Sequence, residues 1–163
     1  MLGVALLYVG VVLFVNAMWL LNRVSAKGAG AVNAFVGTLI FLLAINNEFH
    51  AVNMASSFAT AQFLLFAFTY LWLAISCFAN LDNRGLGYYA LFVAIVAVPT
   101  AIHTFAAGDW RFGLIWLMWA ALWFMFFLLL ALGSKIVKFT AFATLGVAAV
   151  TGTVGYLLLI EKW

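Results

Sequence analysis

Apolar residues fill this chain in long blocks, and polar or charged residues gather in short gaps between them. Cutting at those gaps leaves six candidate spans, at 2–21, 31–46, 61–79, 88–106, 112–132 and 139–160. A hydrocarbon core of roughly 30 Å takes about 20 helical residues to cross, and these blocks lie near that length. Every backbone N–H and C=O must be satisfied within the membrane, so isolated apolar blocks of this size read as helices. The pattern therefore predicts an all-α polytopic membrane protein, a six-transmembrane-helix bundle forming one channel-sized domain over residues 1–163. Pro99 falls inside the fourth span, where it should kink the helix or end it near Val98, a neighbouring helix satisfying the freed carbonyl.

Composition agrees with this reading. Hydrophobic residues make up 69% of the chain and charged residues 7%, a balance outside the range of soluble domains. The opening "MLGVALLYVGVVLFVNAMWLL" meets its first charges, Arg23 and Lys27, only after the apolar run, the reverse of a secretory signal peptide, and reads as the first span.

The formal charge of +3 is spread over the connections and forms no basic patch, which excludes a nucleic-acid surface. Arg23, Lys27, Arg84, Lys135 and Lys138 all fall in odd-numbered connections, whereas the even-numbered ones and the tail hold only Arg111 and Lys162. By the positive-inside rule the odd connections face the cytoplasm and both termini lie outside it.

Catalysis needs ionisable or nucleophilic groups held together, and the spans nearly lack them. Glu48, His50, His103 and Asp109 are the titratable candidates, all at outer helix ends, and they read as solvent-facing. Cys77 is the sole cysteine, so neither a disulfide nor a thiolate metal site is available. No acid sits at midplane, as a proton-coupled pump would want. The chain reads as a non-enzyme with no cofactor and no metal.

The fifth span is more informative. Phe112, Trp116, Trp119, Trp123 and Phe126 recur at intervals of four, three, four and three, which aligns them on one helix face. Trp110 suits an interfacial anchor, but Trp116 to Trp123 lie too deep for an aromatic belt. The stripe is either helix packing or the wall of a narrow passage, in which flat rings define a slot and indole N–H groups offer donors. A slot of that kind suits a small, neutral, planar solute, because an ion would need carbonyl or charge rings that are absent here.

The first span carries a matching stripe of Leu2, Leu6, Val9 and Leu13, with Asn16 as its polar member, which must bond a partner helix or meet pore water. In the third span Gln62, Phe66 and Tyr70 share a face, and the Tyr70 hydroxyl faces the same choice. Gly3, Gly10, Gly146, Gly152 and Gly155 read as close-packing positions.

"MLGVALLYVGVVLFVN" at the start, "LLFAFTYLWLAI" at 64–75, "YALFVAIVAVP" at 89–99, "GDWRFGLIWLMWAALW" at 108–123 and "KFT" at 138–140 together resemble the AmiS/UreI family of short-chain amide transporters and acid-activated urea channels. The resemblance spans most of the chain in order. It implies passive conduction of urea or acetamide-like amides across the bacterial cytoplasmic (inner) membrane. It also implies protomers that each carry a pore, assembled as a homohexamer around a central space filled with membrane lipid. The pore lining it implies is Leu6, Val9, Leu13, Phe66, Tyr70, Phe112, Trp116, Trp119, Leu122 and Trp123; the helix faces themselves add Asn16 and Gln62 as polar pore or packing contacts.

Two departures matter. The acid-gated channels of the family have long outer loops rich in histidines and acidic residues, whereas the loops here are short and only His50 and His103 could sense acid. Those channels also carry a glutamate in the last helix just before a glycine, where this chain has Leu145 before Gly146. Both differences favour the amide-transporter branch, whose members are encoded beside a cytoplasmic amidase, and disfavour acid gating. The rival expectation is a membrane scaffold that recruits a cytoplasmic amidase or urease without transport; the short inner connections offer it little surface.

Overall fold

The structure, a computed structural model, describes all residues from Met1 to Trp163 and consists of six helices long and apolar enough to span a membrane. They are α1 (Leu2–Leu20), α2 (Ala26–Phe49), α3 (Met54–Ala79), α4 (Arg84–Ala106), α5 (Trp110–Leu130) and α6 (Val137–Leu159). No strand is present.

Several helices begin earlier than the apolar pattern indicates, because polar residues that end a hydropathy block still wind into helix outside the hydrocarbon. Ser25 caps α2 by accepting the Gly28 N–H, and Asn53 caps α3 by accepting that of Ser56. The second connection consequently shrinks to His50–Asn53, bridged by Asn47, whose side chain donates to the Ser56 carbonyl and the Thr60 hydroxyl. The Asp109 side chain caps α5 by accepting the Phe112 N–H at 3.0 Å, just after Gly108 turns the chain with φ of +87°.

Pro99 does not end its helix. α4 continues to Ala106, and the Thr100 hydroxyl donates to the Val96 carbonyl one turn back at 2.8 Å. Of the two outcomes expected at Pro99, a kink or an end near Val98, the end does not occur.

Each helix touches two others, and the contacts close into a ring in chain order, with α6 returning to α1. The ring is uneven. The α1/α6, α2/α3 and α4/α5 pairs are extensively packed, whereas α1/α2, α3/α4 and α5/α6 meet along sparser seams.

Small residues explain the tight pairs, since bare backbones approach closely. A Cβ on Gly10 would lie 2.5 Å from the Gly152 Cα, and one on Gly155 would strike the backbone of Leu6 and Leu7. In the α4/α5 pair a Cβ on Gly87 would come within 2.6 Å of the Ala131 nitrogen. Gly146, grouped with the packing glycines by composition, instead faces open space. It sits on the outward face of α6, so helical position and not residue type decides its role.

Large apolar residues cover the outside of the ring, among them Phe35, Phe92, Ile95, Ile102, Phe139 and Phe142. The interior holds one main cluster that includes Leu6, Val9, Leu13, Phe66, Tyr70, Trp116, Trp119, Leu122 and Trp123. Helices buried on one side and apolar all round are what a bilayer solvent selects.

Candidate functional site: an aromatic waist between two cavities

The aromatic stripe of α5 points inward. Trp116, Trp119 and Trp123 are only 4–6% exposed, whereas Trp110, at the start of the same helix, is 61% exposed. From the opposite wall α3 inserts Phe66 among the three indoles, its ring centroid 4.9 Å from Trp119, 4.7 Å from Trp123 and 6.1 Å from Trp116. Trp116 and Trp119 meet edge to face at 88° with centroids 5.1 Å apart. Edge-to-face geometry sets the positive ring edge against the negative face, so the cluster has defined angles as well as bulk.

Two cavities flank this cluster. The larger, about 690 Å³, opens at the end of the ring that carries both chain termini and is lined by Leu6, Val9, Gln62, Phe112 and Trp116, with Asn47, His103 and Asp109 among its polar members. The smaller, about 80 Å³, lies toward the other end, against Leu13, Asn16, Tyr70, Leu122 and Trp123. Phe66 and Trp119 alone line both. Their edge-to-face contact, at 80°, is the partition.

Every residue of the three faces singled out as lining thus borders one cavity or the other, Asn16 and Gln62 included. The α1 residues Leu6, Val9 and Leu13 face the waist from the far side of the ring. The lining carries few polar atoms and, at the waist itself, no charge. An ion would lose its hydration with nothing to replace it, whereas a small neutral amide needs only a few donors and acceptors.

Two polar groups of the wall, Asn16 and the Trp119 indole, are held by partners on helices that the stripes did not point to. Asn16 and Asn33 of α2 pair reciprocally: the Asn16 amide N–H donates to Asn33 Oδ1 at 3.1 Å, and the Asn33 amide N–H donates to Asn16 Oδ1 at 2.6 Å. The Trp119 indole N–H donates to the Thr151 hydroxyl of α6 at 3.0 Å, deep in the bundle. The expectation that indole N–H groups face the passage therefore fails for Trp119, whose donor is taken up inside the wall. Asn33 was legible as a lone amide inside an apolar span. Thr151 was not, because threonines recur along α6 and only one sits opposite Trp119.

The titratable residues at the terminus end do not form a cluster. The Glu48 carboxylate accepts from the Ser57 hydroxyl, His50 Nδ1 contacts the Asn46 carbonyl, and His103 lies edge-on to Phe58. Trp163 folds back under Arg111, 5.2 Å from its guanidinium, and packs edge-on against Phe112, which lines the larger cavity.

Comparison with known proteins fixes the class. A match to the AmiS/UreI family of transporters covers residues 1–162. The chain belongs to the AmiS/UreI family. Among its relatives, a protein of Mycolicibacterium smegmatis named as a transporter of amidate substrates is 40% identical over 99% of this chain and 78% of its own length. The acid-activated urea channel of Helicobacter pylori is 32% identical over the whole of both chains. The crystal structure of the Helicobacter pylori urea channel superposes with a TM-score of 0.91 at 34% identity, covering 100% of this chain and 99% of the other. A closed-state structure of that channel gives 0.90. The family's members are transporters and channels, so this chain is an integral membrane transport protein and not an enzyme.

Proposed function

We propose that this protein is a passive transmembrane channel for urea and short-chain aliphatic amides, conducting without acid activation. The observation that carries the reading is the waist: two cavities parted by a single pair of aromatic rings, with hydrogen-bonding groups nearby and no charge at the waist itself. Solutes pass when Phe66 and Trp119 swing apart, and their flat faces select a flat solute. The names of the relatives, which span amidate and urea substrates, support the same solute class.

Two further features support conduction without an acid switch. The connection after α2 is four residues long, and neither histidine pairs with a carboxylate. Both termini lie outside the cytoplasm in this reading, so the larger cavity is the outer vestibule of an inner-membrane protein. The belt of exposed apolar side chains fits a homohexameric ring of such protomers enclosing lipid.

The test is stopped-flow reswelling of proteoliposomes with urea and acetamide, comparing the wild type with Trp119→Ala and Trp123→Ala. Both substitutions open the waist, so flux should rise and selectivity between solutes should fall, with assembly intact. Uptake no faster than in protein-free vesicles would remove the channel reading and leave the scaffold.

A further inference from the structure

The smaller cavity contains an amide whose hydrogen bonds are only partly used. The Asn33 amide N–H group donates to the Ala29 carbonyl at 2.9 Å as well as to Asn16 Oδ1, which fixes which end of the Asn33 side chain is nitrogen. Its oxygen must then accept from Asn16, and that in turn fixes the Asn16 amide. The result is a cyclic amide–amide pair. A primary amide nitrogen has two hydrogens, and the pair consumes one of those on Asn16. The other has no acceptor in the protein, although Asn16 is only 4% exposed and lines the smaller cavity.

The remaining polar groups around that cavity differ. The Thr69 hydroxyl donates to the Leu65 carbonyl within its own helix, and the Trp119 indole is bound to Thr151. Tyr70 lines the cavity, and its hydroxyl has no hydrogen-bond partner within the protein. The Asn16 amide of α1 and the Tyr70 hydroxyl of α3 are thus left over a largely apolar wall, together with the Trp19 and Trp123 indoles, just past the Phe66–Trp119 partition.

We infer that Asn16 is a solute-binding residue: its second amide hydrogen bonds the carbonyl oxygen of the permeating amide or urea as that solute leaves the waist. Asn33 is the positioning residue that keeps this hydrogen pointed away from the helix pair. The inference rests on the channel reading. The class it selects is a neutral solute with a strong carbonyl acceptor. A thiocarbonyl solute of the same shape accepts a hydrogen bond poorly and gains little from Asn16, so the site distinguishes C=O from C=S.

The experiment is a flux comparison of acetamide and thioacetamide in proteoliposomes, each corrected for leak through protein-free vesicles, for the wild type, Asn16→Leu and Asn33→Leu. The wild type should favour acetamide, and both variants should lower the acetamide-to-thioacetamide ratio by about fivefold, the equivalent of one neutral hydrogen bond. If Asn16 only packs α1 against α2, both solutes will change by the same factor and the ratio will hold, which overturns the inference while leaving the channel intact. Should the leucine variants fail to assemble, the wild-type ratio still decides: no preference for the carbonyl compound overturns the proposal. Failure of the wild type to conduct either solute refutes the channel reading and the inference with it.

Discussion

Thr151→Val is the sharpest probe of how the waist is held. Valine keeps the branched shape of threonine, so the substitution leaves packing in place and removes the acceptor 3.0 Å from the Trp119 indole nitrogen. Thr151 is fully buried and Trp119 is 4% exposed, so no bulk water replaces the lost bond. An orphaned buried donor costs about 1–3 kcal/mol in soluble proteins. Membrane helices lose less, about 0.6 kcal/mol on average, because the unfolded chain in lipid also finds partners. A destabilisation of about 1 kcal/mol therefore follows, read from equilibrium unfolding in mixed micelles. Trp119→Phe removes the other partner, and a double-mutant cycle isolates the pair: a coupling of about 0.5–1.5 kcal/mol is expected. The same variant should raise the acetamide-to-urea flux ratio, because an indole no longer pinned to α6 tilts and admits the larger solute. Additive single substitutions together with an unchanged ratio would refute the claim that Thr151 sets the ring angle.

Gly155→Ala and Gly146→Ala form a matched pair on one helix. The first drives a methyl group into the α1 backbone and should destabilise the bundle by about 1–3 kcal/mol, whereas the second meets open space and should leave protomer stability unchanged or slightly higher, measured by the same unfolding assay. Urea flux should be the same at neutral and mildly acidic outer pH, since Glu48, His50 and His103 are engaged separately and are not gathered into a switch. A several-fold rise in acid, seen in stopped-flow traces of the wild type, would count against ungated conduction.

The architecture was largely legible because the bilayer imposes it. Apolar blocks near spanning length have no other way to satisfy their backbones, so six helices follow from composition and spacing alone. Their true ends were less legible: hydropathy falls where polar residues begin, but caps such as Ser25 and Asn53 prolong the helix past that point. At Pro99 local chemistry allowed a kink or an end, and α4 runs on to Ala106.

The lining faces were legible too, because a helix puts residues at intervals of three and four on one side. Trp116, Trp119 and Trp123 had to share a face, and so did Leu6, Val9 and Leu13. Periodicity says which residues lie together on a helix but not which helix they meet. That Phe66 seats among the three indoles, that Trp119 spends its N–H on Thr151, and that Asn16 pairs with Asn33 depend on the order in which six helices close into a ring. Those contacts join positions 17 to 57 residues apart, where local pattern carries no information and only packing selects the partner. The sequence by itself determined a membrane-spanning bundle with an aromatic face; the tertiary structure decided that this face lies between two cavities, and which of its polar groups are already bonded inside the wall.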